Sequence, residues 1–110
     1  MKLPNCEQAE VTMRKLTTYL LDIAHPQNKG KAAFYELVGY NQQNTDALKE
    51  ALLGLVLESE ITKVIETAHG KRYVVEGWRP CPNGKLYPLR TVWFIDNGET
   101  IPKLVTAYPN

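Results

Sequence analysis

The chain has 110 residues, 44% of them hydrophobic and 23% charged, with 13 Lys+Arg against 12 Asp+Glu for a net charge of +1. A chain of this length buries somewhat under ~70% of the surface its unfolded state exposes, so it can hold a core without disulfides or metal, and disorder and low complexity are excluded. The longest apolar run, Ala51 to Leu57, is far shorter than the ~20 residues of a membrane span, and the near-neutral charge argues against a broad electrostatic grip on nucleic acid. The start, Met1-Lys2-Leu3-Pro4-Asn5, lacks the apolar stretch of a signal peptide, so a cytoplasmic location is expected. Cys6 and Cys81 read as reduced thiols, with no CxxC or His/Cys cluster to hold a metal and no motif for a cofactor. No repeat or linker divides the chain, which reads as a single domain over 1–110.

The first half has helical periodicity. Met13, Leu16, Leu20 and Ile23 recur at helical spacing after Thr12, a good N-cap, which predicts a helix over roughly 13–23 that His25-Pro26 ends. After Gln27-Asn28-Lys29-Gly30, a second short helix is expected from near Lys31, with Ala33, Phe34, Leu37 and Val38 as its apolar face and Gly39 as its stop. Asn44 or Thr45 caps a third, whose buried stripe is Leu48, Ala51, Leu52, Leu55 and Val56, and Asp46 suits its positive end.

From Ile61 onward β-branched and aromatic residues alternate between glycine turns, which predicts four strands at about 61–67, 71–77, 87–96 and 101–108. Gly70 closes the first hairpin, and Trp78-Arg79-Pro80-Cys81-Pro82-Asn83-Gly84 reads as a proline-rich loop. The third strand puts Arg90, Val92 and Phe94 on one face and Thr91, Trp93 and Ile95 on the other. The fourth alternates Leu104, Thr106 and Tyr108 against Lys103, Val105 and Ala107. The expected fold class is α+β, about three N-terminal helices packed on a four-stranded antiparallel β-meander.

The segments Lys2-Leu3-Pro4-Asn5, Leu16 to Leu21, His25-Pro26 with Gly30-Lys31-Ala32 and Phe34, Arg90-Thr91-Val92-Trp93-Phe94-Ile95 and Leu104-Val105-Thr106-Ala107-Tyr108-Pro109 resemble an uncharacterised family of small bacterial proteins. That family in turn resembles the barnase/EndoU/colicin/RelE-like ribonuclease toxins, through helices followed by a four-stranded meander, a His/Lys-bearing helical half, and an Arg strand followed by a Thr-x-Tyr strand. The resemblance implies a metal-independent ribonuclease toxin of a toxin–antitoxin pair, with RNA as substrate and a small antitoxin protein as partner. No Glu/His pair of the barnase kind is evident, which leaves acid and base unassigned.

Metal-free RNA cleavage needs a base for the 2′-hydroxyl, an acid for the leaving oxygen, and cations or donors around the phosphate. His25 supplies a group that can serve as base or acid, or else a capping imidazole. Lys29 and Lys31 bracket Gly30 where a helix begins, suiting a phosphate or simply forming a solvated basic loop. Arg90 sits in an apolar strand, so it must either pair with an acid, for which Glu76 is available, or face a ligand. If the following turn is Asn97-Gly98-Glu99 or longer by two, Arg90 lies opposite Thr106, and Arg90, Thr106 and Tyr108 share a face. With a two-residue Asn97-Gly98 turn, Arg90 moves to the face of Val105 while Trp93 joins Thr106 and Tyr108. Trp78 beside Arg79 suits RNA or a protein, or packs over a sheet edge, whereas Trp93 reads as core. The candidate catalytic set is His25, Lys31, Arg90, Thr106 and Tyr108, with Lys29, Trp78 and Arg79 as substrate contacts. The alternative is a non-catalytic binding module, an antitoxin or adaptor, in which Arg90 is paired to Glu76.

Overall fold

The computed structural model describes residues 1–22, 25 and 30–110. Helix α1 begins as an α-helical turn at Met13–Lys15, capped by Thr12, whose Oγ1 accepts from the Lys15 N–H at 3.1 Å, and continues as a π-helix over Leu16–Leu20. The wider turn is closed by the Leu21 N–H on the Leu16 carbonyl. Thr17 and Thr18 donate their hydroxyls to the carbonyls of Met13 and Arg14, a competition that distorts helices. The helix therefore ends earlier than its periodicity implies, Met13 is exposed, and Ile23 lies outside the described residues.

Helix α2 spans Lys31–Val38 and stops at Gly39, which has a left-handed φ of 108°. Its buried face is Ala32, Tyr35 and Val38: of the predicted Ala33, Phe34, Leu37 and Val38, Val38 is buried and Phe34 packs partly against the core, while Ala33 is exposed and Leu37 is 79% exposed. The large ring decides the phase: Tyr35 donates a 2.6 Å hydrogen bond to the Ala107 carbonyl inside the core. Helix α3, Thr45–Glu58, buries Leu48, Leu52, Leu55 and Val56 as its spacing predicts. Asn44 holds the N-cap position but directs its amide to the Gly39 carbonyl.

The strands are β1 Ile61–Thr67, β2 Gly70–Pro80, β3 Leu86–Asp96 and β4 Lys103–Pro109, in the order β1-β2-β3-β4 with every pair antiparallel. The fold is α+β, as expected. Gly70 is required by space, since a Cβ there would stand 2.2 Å from the Ile95 carbonyl oxygen. Gly77 likewise lets α3 cross β2 closely, with Ser59 Oγ 2.6 Å from where a Cβ would sit. The helices cover one sheet face, and the core between them holds Trp93, Leu89, Val75 and Ala107 from the sheet against Leu16, Leu20, Tyr35, Leu52 and Leu55. Glu10 pairs beside Lys103 at the outer edge of β4, through Leu104 N–H to the Glu10 carbonyl and Glu10 N–H to Pro102.

Three details differ from the sequence reading. β2 runs on through Trp78, Arg79 and Pro80, so these residues are strand and the loop shrinks to Cys81-Lys85. Neither predicted register between β3 and β4 occurs: Arg90 lies opposite Tyr108 and Val92 opposite Thr106, with a bulge at Val105 between that pair and the Trp93–Leu104 pair. The extra residue breaks the alternation of β4, so Leu104 turns into the core with Ala107 and not outward with Thr106 and Tyr108.

Candidate functional site

The sheet face away from the helices is assembled by cross-strand pairs. Trp78 with Pro88, Glu76 with Arg90, Val74 with Val92 and Arg72 with Phe94 follow one another along β2 and β3, and Tyr108 and Thr106 continue the Arg90 and Val92 rows onto β4. This face floors a 550 Å³ depression whose polar lining includes Lys63, Arg72, Glu76, Arg90, Thr106 and Tyr108. A second cavity of 450 Å³ opens beside it between Gly30, Lys31, Tyr108 and Pro109, and a third of 500 Å³ between Lys15, Tyr19, His25 and Val105.

Arg90 is 41% exposed and bonds through Nε to Glu76 Oε2 at 2.7 Å. The guanidinium holds the Glu76 carboxyl below the usual carboxylate range, despite the opposing effect of burial. Glu76 and then Tyr108 in turn hold the Arg90 charge more firmly than usual. The acid partner foreseen for Arg90 is therefore present, and it lies on the same open face as the rest of the cluster.

Tyr19 joins the helices to this sheet. Its hydroxyl lies 3.4 Å from Thr106 Oγ1 and accepts from Lys31 Nζ at 3.3 Å, and its ring meets the His25 ring edge-on at 5.0 Å. Lys31 Nζ also stands 5.6 Å from the Tyr19 ring centroid and 5.5 Å from that of Tyr108. Burial pushes the Tyr19 phenol up, but the hydrogen bonds from Thr106 and Lys31 and the charges of Lys31 and Lys15 outweigh it, leaving the phenol below its ordinary value. The π-helical turn, a feature frequent at functional sites, is what carries Tyr19 there.

Five of the residues singled out from the sequence thus lie in one run of contacts: His25 on Tyr19, Tyr19 on Lys31 and Thr106, Lys31 on Tyr108, and Tyr108 on Arg90. Trp78 shares the open face, one row beyond Glu76 and Arg90. Arg79 does not: it turns to the helix side, with Nη1 2.7 Å from Glu58 Oε2 and Nη2 3.1 Å from where a Cβ on Gly54 would sit. Lys29 lies outside the described residues. Tyr19 was missed, and Glu76 was foreseen only as a structural counter-ion. The one sequence signal for Tyr19 is the preceding Thr17-Thr18 pair, whose hydroxyls distort the helix that carries it. Among the described residues no group of three or more His, Cys, Asp or Glu is placed to hold a metal ion.

The fold is similar to that of a chain in the contact-dependent growth inhibition toxin–immunity protein complex from Klebsiella pneumoniae 342, with a TM-score of 0.72 over 91% of this chain and 98% of that one. The two are 17% identical, so the likeness is one of fold. No curated protein matches the sequence. A family model described as a domain of unknown function, DUF6883, matches residues 2–110, and the chain belongs to that family.

Proposed function

We propose that this protein is a metal-independent endoribonuclease, the toxin of a bacterial toxin–antitoxin pair that acts in the cytoplasm and is neutralised by a small protein partner. The observation that carries the reading is the convergence of Lys31, Tyr19 and His25 from the helical half with Arg90, Glu76, Thr106 and Tyr108 from the sheet. In the reaction the 2′-oxygen loses its proton and attacks phosphorus, a 2′,3′-cyclic phosphate forms, and the 5′-oxygen leaves with a proton. Arg90 and Lys31 supply cations for the phosphate oxygens, and the hydroxyls of Thr106 and Tyr108 supply donors. Glu76, kept ionised by Arg90, is the proton acceptor, and the Tyr19–His25 pair supplies the proton for the leaving oxygen. The similar fold in a toxin–immunity complex supports a toxin with a protein partner.

The Arg90–Glu76 ion pair favours a second reading, a non-catalytic antitoxin or adaptor in which the pair is structural. The test is induced expression in bacteria of the wild type beside Arg90→Ala, Glu76→Gln and Lys31→Ala, followed by growth, total-RNA integrity and cleavage of single-stranded RNA by purified protein with a chelator present. Growth arrest and cleavage by the wild type, with losses of about 10²-fold or more in folded variants, is the expected result. A wild type that neither arrests growth nor cleaves RNA transfers the protein to the second reading.

A further inference from the structure

We propose that Trp78 is a nucleobase-stacking platform that makes the substrate single-stranded RNA, with an unpaired base seated next to the phosphate held at Arg90; this rests on the nuclease reading of the same face. Trp78 is 64% exposed although it lies inside a strand, whereas the other tryptophan, Trp93, is fully buried. It stands on the open face opposite Pro88, and Pro80 pairs with Leu86 in the next row, so this end of β2 and β3 is apolar on that face. Leu86 is also 61% exposed. Exposed apolar surface of this kind marks a contact site.

The spacing fits a nucleotide chain. Arg90 is directly opposite Tyr108 and diagonal to Trp78, positions that lie about 5 Å and about 7–8 Å away across an antiparallel sheet. A phosphate at the guanidinium therefore has an aromatic ring on either side of it, one on β2 and one on β4. Beyond this row Lys63 and Arg72 add positive charge, and Glu76, paired to Arg90, is the one carboxylate among the described residues lining the depression. Charge complementarity thus favours a polyanion, and the exposed indole favours a base with a free π-face, which a duplex does not present. In a loop, Trp78 would have no fixed relation to Arg90. The continuous strand gives it one.

The test uses the whole chain and a single-stranded 2′-O-methyl RNA oligonucleotide, which binds without being cut. Because Trp93 is sealed in the core, a change in tryptophan emission on titration reports Trp78, and Trp78→Phe should lose it. With cleavable RNA, Trp78→Ala should raise KM by about 5- to 100-fold, more than any fall in kcat, and Trp78→Phe should restore most of the affinity. Leu37→Ala, an exposed apolar residue on α2, should leave both constants unchanged. Unaltered emission together with an unaltered KM in Trp78→Ala overturns the platform, while loss of cleavage in Arg90→Ala leaves the nuclease reading standing. Trp78-dependent binding by a wild type that never cleaves supports the platform and sinks the nuclease. If Trp78→Ala spares RNA kinetics but releases a co-purifying neutralising protein, the face belongs to that protein and the proposal falls.

Discussion

Thr91 and Trp93 form a buried polar relay that holds β3 in place beneath the site. Both are fully buried; Thr91 Oγ1 accepts from the Trp93 indole N–H at 2.8 Å and donates to the Val75 carbonyl at 2.7 Å. One hydroxyl thus serves as acceptor and donor at once. Thr91→Val keeps the shape and removes both bonds. The indole N–H then has no acceptor, at a cost of about 1–3 kcal/mol, and the Val75 carbonyl loses a partner worth about 1 kcal/mol. The added methyl returns about 0.8 kcal/mol. The expected net loss is about 2 kcal/mol, which in a domain of this size lowers Tm by roughly 6–12 °C. Thermal and urea unfolding should be compared for Thr91→Val, Thr91→Ser and each combined with Trp93→Phe. Serine retains the hydroxyl and should cost only the methyl, while Trp93→Phe should be cheaper in the valine background than in the wild type because the orphaned N–H is gone. If Thr91→Val is as stable as Thr91→Ser or more so, or if the two substitutions simply add, the relay has no energetic role.

Three further outcomes follow from the site. Because Arg90 lowers the folded pKa of Glu76 below its unfolded value, that contribution to stability is complete above the unfolded value and disappears as pH falls through the folded one. Acid unfolding below about pH 4 should therefore be less steep in Glu76→Gln than in the wild type, and identical slopes would contradict the pairing. Of the six tyrosines, Tyr19 should ionise below the ordinary phenol range while burial holds Tyr40 up at about 12. Ultraviolet titration should show an early phase that Tyr19→Phe alone removes, and its persistence in that variant would place the lowered phenol elsewhere. Deleting Val105 should leave a folded protein that keeps its cleavage, since Leu104 stays opposite Trp93, Thr106 opposite Val92 and Tyr108 opposite Arg90; an unfolded or inactive deletion would show that the bulge does more than set these faces.

The architecture was legible because hydrophobic period decides it. Leu48, Leu52, Leu55 and Val56 at helical spacing define α3, and the alternation through Arg90, Val92 and Phe94 defines the faces of β3. Two kinds of feature escaped. Short elements carry too few residues for periodicity to outvote one large side chain, which is why Tyr35 rather than Phe34 and Leu37 sets the phase of α2. Irregular backbone leaves no periodic trace at all: the π-turn of α1 and the bulge of β4 each insert one residue into a ladder that a constant period reads as unbroken.

Both irregularities lie at the site, and the geometry says why. A regular α-helix over Met13–Leu20 would close Leu21 on Thr17; the observed closure on Leu16 takes up one extra residue before the chain leaves the helix. That extra residue rotates the last turn so that Leu16 and Leu20 stay buried while Tyr19 reaches Thr106. In β4 the extra residue does the same for the partner: Leu104 and Ala107 both point into the core, three apart, while Thr106 and Tyr108 both point out. Val105, the residue inserted there, lines the depressions on both sides of the Tyr19–Thr106 contact. A strictly regular β4 would turn Leu104 outward with Thr106 and Tyr108, so the bulge is what lets one short strand serve the core and the open face together. With Leu104 drawn inward, the outward face is left to polar groups, and that is where His25, Lys31 and Tyr19 meet Thr106, Tyr108 and Arg90.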